Sequence, residues 1–222
     1  MNEPITNPLF QRAVFLSSAP DLAATPDDSG YEVAFAGRSN AGKSSAINAI
    51  CHQNGLARTS KTPGRTQQLV FFRLDDERRL VDLPGYGFAK VSLTIKRRWQ
   101  QLMERYLERR SSLKGLVVVM DIRHPLTAID QQMIDWGIAA GLPLLLLLTK
   151  ADKLKRSGIA RNLNEVRKAL SAAPVPVQVI AFSAVSRLGL NQAQDQVMNW
   201  LGLPAQASAA VAEADLATTP NT

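Results

Sequence analysis

The sequence predicts an α/β fold: a mostly parallel sheet with one antiparallel strand and helices on both faces. Three observations predict it. Short apolar runs alternate with segments of helical periodicity, the pattern by which parallel strands are connected. Two of the runs, 115–121 and 143–150, are apolar almost throughout, as strands buried on both faces must be. The runs 69–74 and 79–83, joined by the charged turn "DDER", read as a hairpin that supplies the antiparallel strand.

The elements follow in order. Residues 1–30 are broken by Pro4, Pro8, Pro20 and Pro26, and "AVFLSS" (13–18) fits either a short helix turn or an edge strand. "YEVAFAG" (31–37) is a strand that runs into a glycine loop, and 43–52 is the helix behind it. After the hairpin, 96–110 carries Trp99, Leu102, Tyr106 and Leu107 along one face, with Ile95 just before it, so it is an amphipathic helix. Its end, "ERYLERR" (104–110), fits either an exposed basic surface or salt pairing within the helix. The strand 115–121 leads to a helix over 126–141 stopped by Gly141, then to the strand 143–150. A helix over 160–172, a strand over 177–184 and a helix over 191–203 complete the pattern. The tail 204–222 is rich in Ala, Thr and Pro and is expected to be disordered. The domain expectation is an N-terminal extension (1–29), one α/β domain (30–203) and that tail.

The net charge of +7 on 222 residues points to a polyanionic partner, RNA being the natural one, or to a solvated basic face. The single cysteine, Cys51, permits no internal disulfide and reads as a small buried hydrophobe. The N-terminus lacks a basic start followed by an apolar run, so no signal peptide is expected. "LPLLLLL" (142–148) is too short to span a bilayer. The expectation is a soluble, cytoplasmic monomer.

The chemistry starts at "GRSNAGKSS" (37–45). A strand, then G-x-x-x-x-G-K-S, then a helix is a phosphate cradle. Gly37 and Gly42 let the backbone approach phosphate, Lys43 reaches the β- and γ-phosphates, and the Ser44 hydroxyl binds magnesium. "DLPG" (82–85) ends a strand at the sheet edge where ligands bind. There Asp82 can hold magnesium through a water, and the Gly85 N–H can swing towards a γ-phosphate. "TKAD" (149–152) selects the base: the Asp152 carboxylate accepts from guanine N1–H and the 2-amino group, which adenine lacks. The stem of Lys150 can lie along the base, and the Ala184 N–H of "FSA" (182–184) can meet guanine O6. Each motif alone has an ordinary structural reading. In this order, each just past a strand, they point to GTP.

These segments, with "SKTPGRTQ" (60–67), "LVDLPGYGFAK" (80–90) and "GLVVVMDIRHPL" (115–126), resemble the EngB family, the YihA/YsxC-type ribosome-biogenesis GTPases of bacteria. The resemblance runs from the first strand of the loop motif to the last helix. It implies a Ras-like P-loop G domain, magnesium-dependent GTP hydrolysis, and a switch role in late assembly of the large ribosomal subunit. Carried over, Gly37, Arg38, Ser39, Asn40, Ala41, Gly42, Lys43 and Ser44 hold the phosphates. Ser44 and Thr66 ligate magnesium. Gly64, Arg65, Thr66, Gln67 and Gln68 form the first switch, and Asp82, Leu83, Pro84 and Gly85 the second. Thr149, Lys150, Ala151 and Asp152 make the base site, with Phe182, Ser183 and Ala184 at the base edge. The catalytic set is Lys43, Thr66, Asp82 and Gly85. Thr149 replaces the asparagine of the wider GTPase pattern and can make fewer bonds to brace the loop.

Tyr86 follows D-x-x-G where many GTPases have a glutamine that orients water, and a phenol cannot supply the same geometry. Slow intrinsic hydrolysis is therefore expected, with the missing element supplied in trans by a ribosomal precursor or by potassium at Asn40. Asn40 reads equally as a loop-turn residue. Arg58, Lys61, Arg65, Lys96, Arg97 and Arg98 form a candidate surface for folded rRNA, solvation being the alternative. His124 reads as structural, with a switch or RNA role left open. The competing functions are a P-loop kinase or ATPase, which the base motif argues against, and an RNA-binding scaffold that holds GTP without useful turnover. Fewer than about forty residues follow 184, which leaves no room for a further domain of usual size.

Overall fold

The strand that ends in the glycine loop lies in the middle of the sheet, and the rest of the chain is arranged around it. The computed structural model describes residues 7–57, 68–86 and 93–204. The strands are β1 (Val14–Ala19), β2 (Tyr31–Gly37), β3 (Leu69–Arg73), β4 (Arg78–Asp82), β5 (Leu113–Asp121), β6 (Leu144–Thr149) and β7 (Val177–Ala181). They form one seven-stranded sheet in the order β1-β3-β4-β2-β5-β6-β7. Only β3 runs against its neighbours, β1 and β4; the other pairings are parallel. The helices are α1 (Pro8–Gln11), α2 (Lys43–Ile50), α3 (Leu93–Arg109), α4 (Ala128–Ala139), α5 (Arg156–Ala169) and α6 (Leu190–Trp200).

Alternation along β2 divides the interior into two cores. Val33 and Phe35 pack with Phe10 of α1, Ile47 and Ile50 of α2 and Val197 of α6. Ala34 and Ala36 face the other side, with Met103 and Tyr106 of α3, Met133 and Ile134 of α4 and Val166 of α5. Every residue of β6 is buried, which is why 144–149 reads as an unbroken apolar run. Gly115 of β5 is held by packing: a β-carbon there would stand 2.3 Å from the Trp200 ring of α6. Cys51 is fully buried as expected, and burial pushes its thiol up to about 12.

Two readings are settled or revised here. Residues 14–19 form an edge strand, with a bulge between Phe15 and Ser17. β3 offers a free backbone edge, and that decides between strand and helix turn for a segment whose local sequence suits both. Among the described residues, the charges of "ERYLERR" make no ion pair within α3. Arg110, just past the helix, reaches instead to Glu32 of β2, which is fully buried. A buried carboxylate is a stronger partner than exposed glutamates on the same helix, whose pairs are worth little.

That contact belongs to a cluster at the amino edge of the sheet. Glu32 Oε2 accepts from Tyr106 Oη (2.9 Å) and Arg110 Nε (3.0 Å), and Oε1 from Arg110 Nη2 (2.7 Å). Arg79 Nε lies 3.1 Å from Oε1, close enough for an ion pair but not aligned for a hydrogen bond. Arg79 and Arg110 also donate to the Asp27 carbonyl, tying down the segment before β2. The tail from 205 onward, the first-switch residues Gly64, Arg65, Thr66 and Gln67, and Arg58 and Lys61 lie outside the described residues.

Candidate functional site

The carboxyl ends of β2, β4, β5 and β6 meet at one edge. Phe35 is level with Asp82, Gly37 with Val119, and Asp121 with Thr149. Every motif located from the sequence and described here follows one of these ends, or that of β7 beside them.

Gly42, at φ 94°, caps α2 in the left-handed region, a conformation that favours glycine. No side chain caps α2. Its first-turn N–H groups have no partner within the helix, and its positive end opens onto the loop. Lys43 donates to the Asp82 carboxylate, and the two side chains are only 10% and 13% exposed. The loop lysine and the D-x-x-G aspartate thus share one nearly buried spot.

The base motif is tied to the same loop. Thr149 Oγ1 lies against the Ala41 carbonyl and 3.0 Å from the Met120 carbonyl. One hydroxyl proton serves one of these acceptors at a time, which gives the threonine's reduced bracing a concrete form. Lys150, at φ 59°, sends its ammonium to the Asn40 carbonyl (2.7 Å) and to Asp121 Oδ2 (2.9 Å). Asp152 Oδ1 accepts from Ser183 Oγ (2.7 Å), and Oδ2 sits 3.2 Å from Lys153 Nζ. The Ser183 hydroxyl bond, with help from Lys153, lowers the Asp152 carboxyl below its usual range. Ser183 is fully buried, and its Oγ accepts from the N–H groups of Val185 and Ser186. The Ala151 N–H donates to the Phe182 carbonyl at 3.1 Å, locking the two base-side loops together.

Removing the Thr149 hydroxyl tests this bracing. Thr149→Val is expected to weaken GDP binding about tenfold, the worth of one buried hydrogen bond left unmade. Calorimetric titration reads it, and an unchanged affinity would show that the brace does not position the loop.

Tyr86 is only 2% exposed. Its hydroxyl donates to Asp130 Oδ1 of α4 at 3.3 Å, and its ring lies 5.8 Å from that of Trp99 on α3. Burial, then the Asp130 charge, raises its pKa well above the usual phenol value. His124 is exposed; its backbone N–H closes a turn onto the Asp121 carbonyl, so any structural role falls on its main chain.

The comparisons with known proteins bear on this geometry. Residues 32–150 match the family described as 50S ribosome-binding GTPase. A probable GTP-binding protein EngB of Edwardsiella ictaluri is 55% identical over 186 residues, 84% of this chain and 86% of that one. Its counterpart in Hydrogenovibrio crunogenus is 51% identical over 195 residues, 88% of this chain and 92% of that one. This chain belongs to the EngB family of GTP-binding proteins. A crystal structure of a probable GTP-binding protein EngB superposes with a TM-score of 0.59 at 19% identity, covering 77% of this chain and 98% of that one. Era in complex with MgGDPNP and part of 16S ribosomal RNA superposes at 0.59 and 18% identity, covering 78% of this chain and 57% of that one. At those identities the two structures speak for the fold, which is the Ras-like one expected.

One residue of this EngB-family site went unassigned from the sequence. Asp121 takes Arg123 N (3.0 Å), Nε (2.9 Å) and Nη2 (2.6 Å) besides Lys150. Burial raises its carboxyl, but the bonds from Arg123 and Lys150 outweigh this and hold it well below the usual range. The signal was present: like Asp82, Asp121 is an acid at the carboxyl end of an inner strand.

Proposed function

We propose that this EngB-family GTPase is a switch in late assembly of the large ribosomal subunit, with slow intrinsic hydrolysis stimulated in trans. The observation that carries the kinetic part is Tyr86. Its buried phenol is committed to Asp130, so the position after D-x-x-G offers no group to orient an attacking water. A ribosomal precursor that orders the switches, or potassium held at Asn40, supplies what is missing. The assembly role draws on the family description, a 50S ribosome-binding GTPase.

In this reading the amides from Gly37 to Ser44 and the Lys43 ammonium hold the phosphates. Magnesium suits hard oxygen donors, the hydroxyls of Ser44 and Thr66 as direct ligands and the Asp82 carboxylate through a water. When bound, it neutralises charge on the β- and γ-phosphates. The Gly85 N–H recognises the γ-phosphate, and Gly64 to Gln68 close over it. Asp152 reads guanine N1–H and the 2-amino group. The Ala184 N–H, which makes no hydrogen bond among the described residues, is left for O6. Lys150, drawn over the loop by Asn40 and Asp121, covers the base with its stem. The G domain spans 30–203, with β1 of the preceding extension added at the sheet's edge. Arg97 and Arg98, exposed on α3, contribute to an rRNA-facing surface. Among the described residues no helix is long and apolar enough to cross a membrane, and we place the working protein in the cytoplasm as a monomer.

The test is co-sedimentation with large ribosomal subunits, and with their precursors, using a non-hydrolysable GTP analogue or GDP. Binding that requires the analogue supports the switch, and equal binding with both nucleotides removes it. Turnover measured in potassium against sodium decides the role of Asn40: equal rates end the potassium reading.

A further inference from the structure

Asp130 is a carboxylate with no solvent contact, and the nucleotide motifs do not account for it. It lies in the first turn of α4, where Oδ2 accepts from Thr127 N (3.2 Å) and Thr127 Oγ1 (2.6 Å). A helix cap alone explains those two bonds. It does not explain why the same carboxylate meets two other segments. Oδ1 takes the Tyr86 hydroxyl, and Oδ2 lies 3.4 Å from Nε of Arg38 in the glycine loop. A buried charge needs such partners, and Arg38 is the cation that balances it.

The backbone around these partners is stitched in the same place. The Leu83 N–H donates to the Phe35 carbonyl (2.9 Å), the Tyr86 N–H to the Gly37 carbonyl (3.4 Å), and the Ser39 N–H to the Tyr86 carbonyl (2.9 Å). Side chain and main chain together fix Tyr86 against the loop. Gly85 sits immediately before it, so the latched Tyr86 sets where the Gly85 N–H can be. On the far side Tyr86 packs on Trp99, and Trp99 on Trp136 (6.0 Å between centroids), which joins α3 and α4 to the same point.

We infer that Asp130 is a positioning residue: through Tyr86 and Arg38 it latches the end of D-x-x-G to the glycine loop, preorganising Gly85 for the γ-phosphate and so setting the ratio of GTP to GDP affinity. This rests on the reading of Gly85 as the γ-phosphate sensor. The latch reaches the glycine loop at its first residues, Gly37, Arg38 and Ser39, and makes no hydrogen bond or ion pair with Lys43 or the base motif among the described residues, so its larger effect falls on the third phosphate. Loosening it therefore changes the ratio of two affinities rather than both equally.

The experiment uses the full chain as wild type, Tyr86→Phe and Asp130→Asn, titrated with fluorescent GDP and a fluorescent non-hydrolysable GTP analogue in magnesium buffer. Tyr86→Phe keeps the ring on Trp99 and deletes only the bond to Asp130. Asp130→Asn keeps the shape and removes the charge facing Arg38. The analogue-to-GDP affinity ratio is expected to fall about threefold in Tyr86→Phe and about fivefold to tenfold in Asp130→Asn, the analogue losing more affinity than GDP. An Asp130 that merely caps α4 would lower the melting temperature and leave the ratio alone. A ratio unchanged or raised in a folded variant overturns the latch, and if Asp130→Asn does not fold, Tyr86→Phe decides. If the wild type itself shows no preference, the γ-phosphate reading fails first. Amide exchange at Gly85 and Tyr86 then decides the latch: faster exchange in Tyr86→Phe supports it, and unchanged exchange overturns it.

Discussion

Asp152→Ala is expected to lower affinity for GDP and GTP at least about a hundredfold while leaving the weak binding of ADP where it was. The carboxylate offers guanine two acceptors, and a hydrogen bond to a charged group is worth about 1.5–3 kcal/mol. Two of them amount to about 3–6 kcal/mol, and each factor of ten in affinity is about 1.4 kcal/mol. Asp152 is primed for this by Ser183, whose buried hydroxyl holds one oxygen at 2.7 Å and keeps the group ionised. Because its folded pKa is lowered, guanine affinity falls off at a lower pH than an unperturbed aspartate would give. Asp152→Asn keeps the shape but exchanges one acceptor for a donor that opposes the guanine amino group, so it too loses GDP. Ser183→Ala, which leaves the charge but frees its orientation, falls between. Competition titration with GDP and ADP reads all three. A GDP affinity for Asp152→Ala within threefold of wild type would remove Asp152 from the base site.

The meeting of the candidate site's motifs at one sheet edge was legible because they are backbone requirements written at fixed spacing. Gly42 must adopt φ 94°, Asp82 must end a strand next to β2, and the base motif must follow β6. Strand–helix alternation fixed where those ends lie. Asp121 and Asp130 were harder, since their partners Lys150, Tyr86 and Arg38 come from other loops and meet only once the sheet is ordered. The segment 14–19 could not be decided locally either: its pairing depends on the free edge of β3, 50 or more residues on. The salt pairing sought within 104–110 failed for a related reason. Arg110 had a better partner in Glu32, and the sequence did carry a hint of it, a single acid inside the apolar strand "YEVAFAG". A charge in a central strand has to be paired, even where the sequence does not say by what.

Glu32 is where the largest loss of stability is expected. It is fully buried and holds Arg79, Arg110 and Tyr106 at once. Glu32→Ala leaves the buried Arg79 guanidinium uncompensated, leaves Arg110 only its longer ion pair with Asp28 (3.5 Å), and takes the acceptor from the Tyr106 hydroxyl. Breaking a buried pair from one side costs about 3–5 kcal/mol, which for a chain of this size lowers the melting temperature by about 10 °C. Glu32→Gln is expected to fall short of this, since it keeps volume and one acceptor but not the charge. The nucleotide site lies at the opposite edge of the sheet, so GDP affinity of the folded variant well below its melting point stays unchanged. Acid titration reports on the same corner. Burial works against the Asp28 charge, yet bonds from Ser112 and Ser111 and the Arg110 charge pull its pKa to about 2. A lowered folded pKa contributes stability above the unfolded value of 3.8 that is lost as pH falls towards 2. Asp28→Asn removes that part of the acid dependence, and in Glu32→Ala the Arg110 ion pair with Asp28 is the one that remains. A thermal melt of Glu32→Ala within about 3 °C of wild type would mean that the cluster decorates the sheet edge rather than holding it together.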